Sequence, residues 1–290
     1  MLKISYRIAL TGLLITPAMM TLSSCSQTPK VPAESVVIAE PIKPAYIEVA
    51  QRDALVIGQK IWMNESSAKI EGLTSWNQGE HFASLGIGHF IWYPETNHRP
   101  YTETFPDLLK FLKERNYTLP VWLQNITVNP WPNREAFLAA KDTPQMTELR
   151  QFMLDSIPDQ VQFIIRRLEQ ALPVMLQTLS NEAERALIKT QFYRVAQTPQ
   201  GVYALLDYVN FKGEGVALTE RYQEQGWGLL QVLSAMTGNT ASPLQEFADA
   251  ADVILTRRVQ NAPAERQESR WLLGWRNRLK TYLEPLTAKN

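Results

Sequence analysis

Residues 53–67 read DALVIGQKIWMNESS and residues 80–93 read EHFASLGIGHFIWY, and the change of pattern between them decides the fold. The first segment reads as a helix from Asp53 to Asn64, with Ile57, Ile61 and Glu65 spaced i, i+4, i+8 on one face. Two of those three are large aliphatics, so that face is expected to turn inward. Glu65 then sits on the last turn, at the edge of the buried side. Desolvation there is expected to raise its pKa and keep a proton on it, as a general acid requires. Ser66 and Ser67 end the helix. The second segment sets bulky residues around Gly86 and Gly88, a pattern of strand, turn and strand. Glu65 and Glu80, joined by a loop into that hairpin, suggest a paired-carboxylate site. They equally fit a helix-terminal Glu bonded to nearby backbone and a solvated Glu80.

Beyond Pro100 the apolar spacing is mostly helical. A helix begins at Phe105 and is barred by Pro120, and i, i+3, i+4 stripes run from Met146 to Asp155, Gln160 to Leu179 and Ala183 to Ala196. The same spacing covers Gln200 to Phe211, Gly226 to Met236, Pro243 to Val259 and Arg270 to Leu283. The expected fold class is therefore mainly α (α+β), with one small β-hairpin or sheet near residues 80–93. Met and Trp within the stripes read as core.

Toward the N-terminus, Lys3 and Arg7 precede the apolar run Ile8–Ile15, which Pro17 breaks. A bilayer takes about 20 apolar residues, and this run is shorter; its layout is that of a secretory signal peptide. Leu22-Ser23-Ser24-Cys25 resembles the lipobox of bacterial lipoproteins. The resemblance implies cleavage before Cys25 and lipidation of its sulfur. Ser26 rather than Asp then implies the outer membrane, facing the periplasm. Pro29, Pro32, Pro41 and Pro44 punctuate a stretch that reads as a tether. The expected organisation is a signal peptide over 1–24, a lipidated Cys and tether over 25–48, and one domain over 49–288.

Composition removes other classes. Lys+Arg and Asp+Glu are 29 each, so no basic surplus exists to hold nucleic-acid phosphates. A single cysteine forbids an intramolecular disulfide or a Cys-based zinc cluster. His81, His89 and His98 lie close in sequence with Glu80 and Glu95 between them, but their spacing matches no zinc motif; neither a metal nor a cofactor is expected.

Ser84-Leu85-Gly86-Ile87-Gly88-His89 resembles the Thr-Ile-Gly-x-Gly-His hairpin of phage-type lysozymes. Asn64-Glu65-Ser66-Ser67, then Glu80, then Ser84 and Gly86-Ile87-Gly88-His89-Phe90 is similar to the active-site order of chitosanases. Both belong to the lysozyme-like superfamily, and the resemblance covers this window alone. It implies a helix ending in the catalytic glutamate, a small sheet, and a helical lobe closing a cleft. Carried over, Glu65 takes the general-acid place and Glu80 that of the second carboxylate, where Asp is more usual. Ser84 takes the place of a threonine that helps hold water. A rival alignment puts the acid at Glu71, because Glu71-Gly72-Leu73 resembles the Glu-Gly-Leu of phage lysozymes.

Asn210, in Val209-Asn210-Phe211-Lys212-Gly213, resembles the Phe-Asn-x-Gly helix end of lysozymes and is a substrate-binding candidate beside Trp92 and Tyr93. Trp76, Trp92 and Tyr93 suit stacking on sugar rings, and suit core packing equally. The resemblance thus implies a lipid-anchored enzyme that cleaves peptidoglycan or a related glycan, as hydrolase or transglycosylase. An inverting pair would hold its carboxyls about 6.5–9.5 Å apart. The alternative is an inert envelope lipoprotein that binds glycan or a protein partner.

Overall fold

A computed structural model describes residues 47–95 and 99–287; these belong to the unit that begins at Ala45. The signal, Cys25 and most of the tether lie outside the described residues. The chain enters through α1 (Gln51–Ser66), then a short 3-10 turn (Ile70–Leu73) and a three-stranded sheet of β1 (Thr74–Ser75), β2 (Ala83–Leu85) and β3 (Phe90–Trp92). Both pairings are antiparallel in the order β1-β2-β3, and Ser84 stands between Ser75 and Ile91 in the ladder.

Helices follow: α2 (Phe105–Glu114), α3 (Arg134–Ala139), α4 (Pro144–Asp155), α5 (Ile157–Gln177), α6 (Glu182–Val195) and α7 (Pro199–Lys212). A hairpin of β4 (Arg221–Tyr222) and β5 (Gln225–Gly226) comes next, then α8 (Leu229–Ala235), α9 (Pro243–Asn261) and α10 (Ser269–Lys280). The fold is mainly helical with two small antiparallel sheets. The expectation of one β element thus needs a correction. The second hairpin turns on Gln223 and Glu224, both at positive φ, and its two-residue strands are too short to show alternation in the sequence.

Local chemistry explains where the helices start. Proline occupies the first turn of α2, α4, α5, α7 and α9, where its missing N–H costs nothing. Asn133, Thr143, Asn181 and Thr198 each accept a backbone N–H as N-caps. The long α5 is the spine of the core, and α1 lies along it. At Gly58 an added Cβ would meet Ile157 Cγ2 at 2.3 Å, so glycine is what lets the two helices approach. Ile57 and Ile61 are fully buried at that contact, each burial contributing about 1.5–3 kcal/mol. Among the described residues no helix is long and apolar enough to cross a membrane.

Candidate functional site

Helix α1 stops where the sequence predicts. Ser67 and Ala68 both take positive φ, and their N–H groups bond back to Met63 O (2.9 Å) and Trp62 O (3.4 Å). Asn64 and Glu65 therefore occupy the last turn. The chain then passes so close to that turn that a Cβ on Gly72 would lie 2.3 Å from Ser66 Cβ.

Glu65 is partly buried, its side chain 21% exposed, and Arg278 and His89 hold it. Arg278 Nη2 donates to Oε1 at 2.5 Å, and His89 Nε2 lies 3.4 Å from Oε2. Arg278 comes from α10 and is itself fixed by Asp207 of α7, through Nε to Oδ2 (2.7 Å) and Nη2 to Oδ1 (2.8 Å). Asp207 is fully buried and also accepts from the Tyr282 hydroxyl (2.8 Å) and from Asn64 Nδ2 (3.0 Å). Asn64 donates as well to the Tyr203 hydroxyl (2.9 Å). The two neighbours on the last turn of α1 thus address one network: Asn64 reaches its buried anchor and Glu65 its outer edge.

His89 is placed by the Gly-Ile-Gly-His turn between β2 and β3. Gly86 takes φ +67° and His89 φ +47°, so the turn uses the left-handed region at both its ends. Gln160 of α5, fully buried, holds the turn: its Oε1 accepts the Ile87 N–H at 3.0 Å while Nε2 donates to Met153 O and Ser156 Oγ. A Cβ on Gly86 would meet that same Oε1 at 2.3 Å, so the glycine is needed for space as well as for φ. The motif's work is to carry one imidazole to Glu65.

These contacts reverse the expected pKa. Burial pulls the Glu65 carboxyl upward, but the His89 hydrogen bond and the Arg278 charge outweigh it, and the pKa lies below the ordinary glutamate value. At rest Glu65 is a carboxylate. This corrects the expectation of a carboxyl kept neutral by desolvation alone.

Beside His89 opens a cavity of about 340 Å³ between the sheet and the helices, lined among others by Ile91, Tyr101, Arg167, Asn210 and Glu214. Asn210 and His89 both line it. Other candidates do not. Glu80 lies in the loop joining β1 to β2, its carbonyl accepting from Trp76 Nε1 (2.9 Å), with one carboxylate oxygen buried and without a hydrogen-bond partner among the described residues. No described hydrogen bond or ion pair joins Glu80 to Glu65, and Glu80 does not line this cavity. Ser84 is buried within the ladder and does not line the cavity, although Ile91 opposite it does. Glu71 is exposed in the 3-10 turn and does not line it either.

Trp92 and Tyr93 are 1% and 0% exposed, which removes them from sugar stacking. Trp92 packs on Phe105 and Trp131, and Tyr93 on Phe82, so their bulk serves the core. Trp76 is buried against Phe137. Tyr101, 62% exposed at the cavity, is the aromatic the sequence reading missed. It also missed Arg167, Glu214, Asp207, Arg278 and Gln160. Among the described residues no three His, Cys, Asp or Glu converge to hold a metal ion; His98 lies outside them. No family model, curated protein sequence or solved structure matches the chain.

Proposed function

We propose that this protein is a glycan-cleaving enzyme that acts on peptidoglycan from a lipid anchor at Cys25, on the periplasmic face of the outer membrane, with Glu65 as its proton donor. One observation carries the reading: Glu65, on the last turn of a helix, meets Arg278 and His89, and His89 in turn lines an open cavity. The resemblance of the Asn64-Glu65 and Gly86–His89 segments to lysozyme-like enzymes supports it.

The chemistry follows from the ion pair. Arg278 occupies Oε1, which leaves Oε2, the oxygen toward His89, to carry a proton. The proposed step starts from a proton shared between His89 Nε2 and Glu65 Oε2, 3.4 Å apart. A glycan filling the cavity excludes water, and an ion pair in a drier site is less stable against its neutral form. The proton then passes from His89 Nε2 to Glu65 Oε2 and on to the departing glycosidic oxygen. The C–O bond breaks, and the ionised Glu65 faces the oxocarbenium charge that develops. With no described bond between Glu80 and Glu65, the reading takes a single-acid route. A hydroxyl of the same sugar closes on the anomeric carbon and returns its proton to Glu65, giving an anhydro end.

A zymogram against peptidoglycan, with mass spectrometry of the released fragments, tests this. Wild-type protein should clear the substrate and leave ends lighter by one water, and Glu65→Gln should not clear it. Reducing ends in place of anhydro ends would replace transglycosylation with hydrolysis. In the cell, Cys25→Ala should release the protein from the membrane fraction.

The hold of Arg278 on Glu65 favours one other reading, an inert envelope lipoprotein whose cavity binds glycan. Retention of peptidoglycan without turnover by the wild type would establish that alternative.

A further inference from the structure

The cavity beside His89 continues into a second one of about 270 Å³, and Thr102, Thr104 and Arg167 line both. Arg167 stands out among the arginines near the site. Arg278 is held by Asp207 and Glu65, and Arg258 by Glu268, in close ion pairs. Arg167 makes no ion pair or hydrogen bond among the described residues. Burial lowers its pKa, and Glu214 and Asp107 oppose that only through space. A guanidinium left uncompensated at the junction of two cavities is a site for an anion, and its planar fork matches a carboxylate. Lys110 and Arg166 share these walls with Asp107, Glu114 and Glu214, so the surroundings are close to charge-balanced, and Arg167, the charged residue common to both cavities, suits one carboxylate. Tyr101 presents an exposed ring on the way from His89 to Arg167 and suits the C–H face of a sugar.

We infer that this junction is a subsite for a carboxylate carried by the glycan, with Arg167 as its anchor and Tyr101 as the platform for the adjoining ring. The inference rests on the glycan-cleaving reading and adds to it a preference for acidic strands over neutral ones.

The test is calorimetric binding in the Glu65→Gln background, so that turnover does not consume the ligand. Two probes are used: a tetrasaccharide of alternating N-acetylglucosamine and N-acetylmuramic acid, and the same tetrasaccharide with its carboxyls converted to methylamides. The acid form should bind about tenfold tighter than the amide, the ~1.4 kcal/mol scale of one charge-assisted contact. Adding Arg167→Met should remove that preference and leave the amide form unchanged, and Arg167→Lys should restore part of it. Equal binding of the two probes, or an equal loss for both in Arg167→Met, overturns the subsite and spares the glycan-cleaving reading. Failure of the folded Glu65→Gln protein to bind either probe overturns both.

Discussion

The three-stranded sheet has two ends, and each holds a glutamate and a histidine close in sequence or space. At the loop end, Glu80 and His81 follow one another between β1 and β2. Trp76 and Phe137 pack there, and Arg134 Nε donates to the Trp76 carbonyl at 2.9 Å. At the turn end, His89 meets Glu65 across the chain, backed by Arg278 and Asp207 and facing a cavity. What separates the two is a charged network: Asp207 of α7 and Arg278 of α10 stand behind Glu65 at the turn end, and His89 there opens onto the cavity.

The comparison breaks first on activity. Glu65→Gln should lower turnover of peptidoglycan about 10²–10⁴-fold, the usual worth of a general acid, with the fold intact by circular dichroism. On the single-acid reading, Glu80→Gln should leave turnover within about twofold. An equal fall in both variants would restore the paired-carboxylate mechanism.

The next largest effect falls on stability. Asp207→Ala leaves the Arg278 guanidinium, 16% exposed, with Glu65 alone, and should cost about 3–5 kcal/mol in urea unfolding. A loss below about 1 kcal/mol would place Asp207 outside the supporting network. Gln160→Leu keeps the volume but strands the buried Ile87 N–H. It should cost about 1–3 kcal/mol and lower turnover as well, because the turn that presents His89 loosens. Trp76→Phe, which removes the bond to the Glu80 carbonyl and part of the packing on Phe137, should spare turnover.

The smallest effects are in pH dependence. Glu65 has a folded pKa below its unfolded value of 4.5, so its ion pairs contribute stability that is present above that value. The contribution is lost as pH falls through the lowered folded pKa, and Glu65→Gln should flatten the acid limb of a stability–pH curve. Lys212 has the opposite sign. Burial and the neighbouring charge of Arg258 push its pKa down to about 7 from 10.5, where it lies between the rings of Phe211 and Trp275. The folded state then gives up this proton before the unfolded state does. Stability should rise from pH 7 toward 10.5, and Lys212→Met should remove that rise.

Much of this frame is legible in the sequence. Ile57, Ile61 and Glu65 declare a helix face and its end, and the paired glycines before His89 declare the turn. The aromatic run Phe90–Tyr93 misleads, because bulky residues favour strand cores and sugar surfaces alike. The network behind Glu65 is hidden for a physical reason: Arg278 lies 213 positions from Glu65, and no local pattern encodes a contact of that span. A signal for Asp207 does exist. It is the one acid in the apolar run of α7, and a charge on a buried face requires partners. Gln160 within the apolar stripe of α5 offers the same signal.

The same span sets an order of events. A chain made from its N-terminus presents Glu65 early and Arg278 only when the last described helix is complete. Until α10 docks, Asp207 lacks its guanidinium and the carboxylate of Glu65 lacks the partner that aims it. A nascent or clipped chain short of α10 therefore carries the glutamate without its setting. The setting of Glu65 is thus completed by the last described helix, through one arginine.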